Sequence, residues 1–279
     1  MNYRHAYHAG NFADVMKHAI LVLALDHLKR KQKPFFVLDT HAGTGETDLA
    51  GTEARKTGEF LDGVARILAE PDPHPALVPY LETLARLGCA GPLPARYPGS
   101  PLIARALARE GDRLAFCELH PEDASTLRAR FGRDAAVKVE EMDGYTALKS
   151  MLPPKERRGL VLIDPPFEGR DEFDRILRGL DEAIERWATG TYLVWYPVKD
   201  PSVSGAFLET LAAKGPAKSM VAELHIRGAD DPSRLSGCGI LAINPPWTFE
   251  KTLGGLLPWL ADKLAQGPGA RARLEWLRP

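Results

Sequence analysis

Cysteine is scarce in this sequence. Cys89, Cys117 and Cys238 are the only three among 279 residues, and no two form a CxxC pair. So sparse and odd a set excludes a disulfide framework and points to reduced thiols and a cytoplasmic setting. Long apolar runs are missing too. The longest, AILVLAL at 19–25, falls far short of the roughly 18–20 residues a membrane span needs and reads as a turn of buried helix. The opening MNYRHAYHAGNFADVMKH is polar and lacks the apolar centre of a secretory leader. Net charge is nearly absent: 36 Lys and Arg against 37 Asp and Glu give −1. Any contact with nucleic acid must then rest on local patches. There is no internal repeat and no low-complexity segment.

What is present is an ordinary globular composition, 44% hydrophobic and 26% charged. The length suits one large α/β domain, or one such domain with an insertion. Asn11 is a candidate helix N-cap with Asp14 three residues on. The helix it opens runs to about Arg30, apolar nearly all round in its middle, and Pro34 stops it. FFVL at 35–38 reads as a buried strand that ends at Asp39. Between Gly51 and Gly99, apolar residues recur at three- and four-residue spacing between Pro- and Gly-rich joints. That texture predicts an inserted helical subdomain over 51–99, with 1–50 (including an N-terminal helical segment, 1–33) and 100–279 as the main domain.

After a helix at 101–110 the main domain alternates. Strands are predicted at 113–119, 136–142, 159–164 and 191–197, helices at 121–131, 145–151, 171–188 and 202–214. Such alternation predicts an α/β fold, a mostly parallel sheet with helices on both faces. SMVAELHI (219–226) and GILAIN (239–244) are joined by RGADDPSRLSGC, too short and turn-rich for a crossover helix, so the final strand is expected to be antiparallel. A seven-stranded, mostly parallel sheet with an antiparallel last strand is the arrangement of Rossmann-like class I methyltransferases, and differs from the all-parallel sheet of dehydrogenases.

Two stretches share one pattern. LIDPPFEG at 162–169 and AINPPWTF at 242–249 each run apolar, then Asp or Asn, then Pro-Pro, then an aromatic ring. In open α/β sheets ligands bind beyond the carboxyl ends of the parallel strands. Asp164 stands at such an end. Asn244 ends a strand expected to run the other way, so its Pro-Pro falls at the opposite rim, as a structural turn with Trp247 packed beneath the sheet. An adenine amine is a poor nucleophile because its lone pair is delocalised into the ring. The Asp164 side chain and the Pro165 carbonyl, each taking one N–H, can hold that nitrogen while it becomes tetrahedral. The diproline stiffens the loop, and Phe167 offers a ring to stack on an extruded base. DPPF alone also reads as a rigid strand-end turn.

VLDTHAGTGETDL (37–49) sets a glycine turn directly after the first strand, where Gly43 and Gly45 permit close approach of a ligand. It lacks the Lys-Ser/Thr of a phosphate-binding loop and, at Asp48, the third glycine of the dinucleotide fingerprint. Acids end four successive strands: Asp39, Glu118, Asp143 and Asp164. Four carboxylates suit a polyphosphate poorly. They suit S-adenosylmethionine, which carries a sulfonium and an ammonium, with Glu118 placed for ribose hydroxyls and Asp143 for an adenine amine. No metal is expected, since His5 and His8 have no Cys or carboxylate at ligand spacing. His18, on the buried helix, reads from spacing as a core histidine. Three basic stretches, LKRKQK (28–33), PPKERR (153–158) and RARLEWLR (271–278), are either phosphate contacts or solvated charged faces.

Taken in order, YRHAYHAGNFADVMKH, LDTHAGTG, YPGSP, DGY, LIDPPFE and INPPWT run through nearly the whole chain and resemble the RlmJ family of bacterial 23S ribosomal RNA adenine-N6 methyltransferases. The N-terminal block and THAGTG carry most of that specificity, because many amino-methyltransferases share DPPF. The resemblance implies a Rossmann-like fold with a small helical insertion and S-adenosylmethionine as methyl donor. Residue by residue, His18, His41, Ser100, Glu118, Asp143, Gly144 and Asp164 match cofactor-contacting positions. Asp164 also matches the catalytic acceptor, and Tyr3 an N-terminal position near the substrate. The family usually has Tyr where this chain has Phe167, which keeps the stacking and loses the hydroxyl. For His18 the resemblance and the core reading conflict.

The expected activity is S-adenosylmethionine-dependent methylation of the N6 amine of an adenine in 23S rRNA, by a cytoplasmic monomer without metal or membrane. Two alternatives stand beside it. One is adenine-N6 methylation of DNA by the same site, against which 51–99 shows no helix-turn-helix or zinc module. The other is a non-catalytic RNA-binding factor on the same fold, against which Asp164, the diproline, the ring and the glycine turn are intact. The polar-aromatic texture of MNYRHAYHAG also predicts a segment that closes over the site.

Overall fold

A computed structural model of the chain describes residues 7–279; Tyr3 and its neighbours lie outside them. Helix α1 (Phe12–Lys29) starts at the expected cap: Asn11 Oδ1 accepts from the amides of Ala13 at 2.9 Å and Asp14 at 3.1 Å, which have no partner inside the helix. Next come β1 (Phe36–Asp39), β2 (Glu46–Asp48), α2 (Thr52–Thr57), α3 (Val64–Leu68), α4 (Val78–Arg86) and β3 (Arg96–Pro98). β2 and β3 pair antiparallel in a small ribbon that the sequence did not announce. The chain continues through α5 (Ser100–Leu107), β4 (Arg113–Glu118), α6 (Pro121–Phe131), β5 (Val137–Glu141), α7 (Gly144–Ser150), β6 (Gly159–Ile163) and α8 (Glu172–Arg186). It ends in β7 (Thr191–Val198), α9 (Pro201–Lys214), β8 (Ser219–His225), β9 (Gly237–Ile243), α10 (Phe249–Lys263) and β10 (Arg271–Arg278).

The main sheet runs β10-β8-β9-β7-β6-β1-β4-β5. From β5 to β7 its strands are parallel, and β9 inserts antiparallel between β7 and β8. Strand alternation divides the core between the two faces. Val37, Leu114, Leu160 and Leu162 join the cluster that holds α1, while Leu38, Ala115, Val161 and Ile163 join the one that holds α8. Each large side chain so buried contributes roughly 1.5–3 kcal/mol. The segment 51–99 adds Phe60, Val64, Leu77 and Leu84 to the first cluster.

Among the described residues the sheet has eight strands rather than the seven expected. The extra one is RARLEWLR, which forms edge strand β10 against β8. Its Ala272, Leu274 and Trp276 pack on the core while the charged residues between them face outward, a period-two pattern that also reads as a basic stretch. Arg273 is occupied by Glu223 at 3.3 Å and by Glu275, and Arg278 by the Gly215 carbonyl. The other two stretches precede β1 and β6, at the amino ends of the parallel strands. There Arg109 donates to the carbonyl of Lys29 (3.2 Å), orphaned at the end of α1, and to that of Lys31 (2.9 Å), and Arg158 to that of Lys33 (2.7 Å) in the link to β1.

Asn244 falls at the same rim, because β9 places Ile243 opposite Tyr192 near the start of β7. Its side-chain nitrogen donates to the carbonyls of Ala188 (2.9 Å) and Gly190 (2.8 Å), and its backbone is left-handed at φ +49°, a region Asn tolerates better than most residues. It is a clasp between chain segments. Trp247, expected to pack beneath the sheet, is instead 80% exposed, since the clasp turns the chain outward there. Asn244→Ala should lower stability by about 0.5–1.5 kcal/mol through loss of these hydrogen bonds and leave turnover at the opposite rim within about twofold of wild type. Urea denaturation and a methyl-transfer assay check the two halves.

Candidate active site

Beyond the carboxyl ends of the parallel strands lies a cavity of about 840 Å³. His18, His41, Ser100, Glu118, Asp143, Gly144, Asp164, Pro165 and Phe167 all line it. Tyr3 lies outside the described residues.

At one end the glycine turn is pinned to β4. Glu118 Oε2 accepts from the Gly43 amide and Oε1 from the His120 amide, each at 2.8 Å. Gly43 is left-handed at φ +61°, and a Cβ there would meet nothing within 4 Å, so the floor is open. Gly144 is required for the opposite reason: a Cβ would lie 2.4 Å from the Thr40 carbonyl oxygen. Asp143 caps α7 through the Thr146 amide (2.9 Å) and pairs with Arg175 (3.0 Å). His41 rests edge-on against Tyr145, and burial pushes its pKa down to about 4, which keeps the ring neutral.

The four strand-end acids are not equally offered to a ligand. Asp39 does not line the cavity. It is 2% exposed and sits behind Ser100, whose hydroxyl donates to it at 2.6 Å. Burial pushes its pKa up to about 7, with the Ser100 bond opposing and nearby Asp164 adding to the rise. A raised carboxyl holds its proton longer in the folded than in the unfolded chain, so stability falls as pH climbs from about 4 to about 7. Asp39→Asn escapes this cost. It should gain on wild type by up to about 1.4 kcal/mol per pH unit across that window and by nothing further above it, as urea denaturation at several pH values would show.

His18 joins both of its readings. It is 1% exposed, with Nδ1 2.7 Å from the Tyr97 hydroxyl and its ring stacked on Tyr97, yet it forms part of the cavity wall.

The centre of the cavity is a buried charge triad that sequence reasoning missed. Lys17, 5% exposed, places Nζ 2.5 Å from Asp164 Oδ2 and 2.8 Å from Asp14 Oδ1. Burial alone would push the Lys17 ammonium down, but the two carboxylates outweigh it and hold the charge. Asp14 Oδ2 in turn accepts from the Gly10 amide at 2.9 Å. Asp164 Oδ1 has no hydrogen-bond partner among the described residues. The available signal was Asp14 and Lys17 at i, i+3 on a helix apolar nearly all round in its middle. Beside Asp164, Phe167 is left-handed at φ +50° and meets the rings of Phe173 (5.0 Å) and Trp195 (5.7 Å) edge-on. Trp195 also lines the cavity and was missed.

His8, which has no carboxylate at ligand spacing in the sequence, has Glu59 at 2.9 Å from a segment 51 residues away. Among the described residues no group of three His, Cys, Asp or Glu is placed to hold a metal, and no helix is long and apolar enough to cross a membrane.

The reversed strand within a parallel sheet, with the glycine turn after β1 and the Asp-Pro-Pro corner after β6 facing one cavity, defines a Rossmann-like class I methyltransferase. Known proteins narrow that class. A family described as "Ribosomal RNA large subunit methyltransferase D, RlmJ" matches residues 32–278, and the chain belongs to it. It is 42% identical over 279 residues to Ribosomal RNA large subunit methyltransferase J of Escherichia coli K12 and 41% to the protein of the same description from Haemophilus influenzae. Both alignments cover 100% of this chain and 99% of the relative. A crystal structure of protein LPL1258 from Legionella pneumophila is 34% identical, with a TM-score of 0.87 over 96% of this chain and 98% of that one.

Proposed function

We propose that this chain transfers a methyl group from S-adenosylmethionine to the N6 amine of an adenine in 23S rRNA, as a cytoplasmic monomer. The observation that carries the reading is Asp164 directly after β6, lining the cavity with Pro165, Pro166 and Phe167 and held by Lys17 through one oxygen, its other oxygen without a hydrogen-bond partner among the described residues. The descriptions of the relatives support ribosomal RNA as substrate.

The cavity fits this donor. Its glycine floor is open at Gly43, and Glu118 and Asp143 present carboxylates suited to hydroxyls, an amine and cationic groups. His18, His41, Ser100, Glu118, Asp143, Gly144 and Asp164 would hold it; when bound, it supplies an electrophilic methyl on a cationic sulfur. For the base, Asp164 Oδ1 takes one N–H of the amine and the Pro165 carbonyl the other. Lys17 occupies Oδ2 and so fixes which oxygen the base meets. Held this way, the nitrogen's lone pair is drawn out of conjugation and aimed, and positioning of that kind supplies much of the rate. Phe167, kept in a backbone conformation that costs a non-glycine residue roughly 1–2 kcal/mol, and Trp195 offer rings to an extruded base. Tyr3 belongs to the same proposal as a substrate contact.

The test is transfer of label from S-adenosylmethionine to protein-free 23S rRNA and, in parallel, to duplex DNA. N6-methyladenosine in digested RNA is the expected product. Label confined to DNA, or found on another base, would overturn the reading.

A further inference from the structure

Among the described residues the cavity carries five Lys and Arg side chains: Lys17, Arg175, Lys199, Arg227 and Arg234. Lys17 and Arg175 are committed to carboxylates. The other three have no carboxylate within 4 Å among the described residues. Among the described residues Arg227 reaches only the neutral Gln266 oxygen, and its Nε is a buried donor without a partner there. Lys199 and Arg234 are exposed. All three come from one side of the site: Lys199 follows β7, and Arg227 and Arg234 belong to the turn between β8 and β9. Of the cavity's acids, Glu46, Glu118, Asp123 and Asp143 come from the β2, β4 and β5 side, away from these cations, while Glu59, Asp62 and Glu168 line it elsewhere.

A polyanion is repelled from the acidic end, and a chain of net charge −1 has no overall field to draw it in. The basic runs conspicuous in the sequence face the far rim or pair on the sheet edge. We infer that Lys199, Arg227 and Arg234 bind backbone phosphates of the RNA strand flanking the target adenine, so that the strand crosses the site on the β7–β8 side while only the base enters toward Asp164. This rests on the reading of the chain as an RNA methyltransferase.

The experiment compares wild type, Lys199→Gln/Arg234→Gln, Arg227→Gln and the far-rim pair Lys31→Gln/Lys33→Gln, using protein-free 23S rRNA over a range of salt. Each single-strand phosphate contact contributes a slope of about 0.7 in log binding constant against log salt. The first double variant should therefore lose about 1.4 of slope and raise KM for RNA about tenfold, while calorimetry shows unchanged affinity for S-adenosylmethionine. Arg227→Gln should lose about half that slope, and the far-rim pair none. Wild-type slope and KM in the Lys199/Arg234 variant, with wild-type transfer intact, would overturn the inference alone, as would a slope lost only in the far-rim pair. Absence of transfer to RNA by the wild type would instead overturn the proposed function and this inference with it.

Discussion

Asp164→Asn should lower the single-turnover rate of methyl transfer about 10³-fold in a protein that remains folded. The substitution is nearly isosteric, so the reason is polarity rather than shape. Lys17 donates to one oxygen of Asp164 at 2.5 Å and in the variant captures the only oxygen that Asn has. The amide nitrogen must then face the substrate amine, donor against donor. An interaction that should aim the lone pair becomes a repulsion at the reacting atom. Lys17 keeps Asp14 at 2.8 Å, so the buried ammonium is not stranded and stability falls much less than rate. Turnover above about a tenth of wild type would show that the amine is held elsewhere.

Lys17→Met should cost about 3–5 kcal/mol of stability, the usual penalty for breaking a buried ion pair from one side. Methionine fills the space, but Asp14 and Asp164, whose side chains are 4% and 17% exposed, lose the ammonium that their burial depends on. The effect should be larger than for an ordinary lysine because one ammonium serves two carboxylates. Adding Asp14→Asn to Lys17→Met removes one stranded charge and should recover about 1–2 kcal/mol, a coupling that urea denaturation of the cycle reads directly. Additive costs in that cycle would mean that Lys17 stabilises by packing its stem and not by pairing.

The opposite fates of the two Pro-Pro corners were legible from topology alone. A linker too short and turn-rich for a crossover helix dictates a reversed strand, and a reversed strand carries Asn244 to the far rim. Glu118, Asp143, Gly144, Asp164 and Pro165 line the cavity as expected, because acids, glycines and diproline at strand ends are local features; Asp39 shares that local pattern and is nonetheless set behind Ser100. Lys17 was not legible as part of the site, since nothing in the neighbourhood of VMKHAI indicates that Asp164, 147 residues further on, closes over it. The same limit hid the Glu59 partner of His8 and the cations of the β8–β9 turn, which look like scattered surface charges until the strands are assembled.

By itself, then, the sequence determined the alternation of elements, the reversal of the last hairpin strand, the cap of α1 and the identity of the strand-end groups. Each of these follows from backbone geometry and side-chain periodicity within a few turns of chain. Tertiary structure alone decided which charges neutralise one another, that Asp39 stands behind Ser100 and not in the cavity, that RARLEWLR closes the sheet edge, and which cations remain for a polyanion. Charge pairing acts through space over a few ångströms, and the distance between partners along the chain places no bound on it.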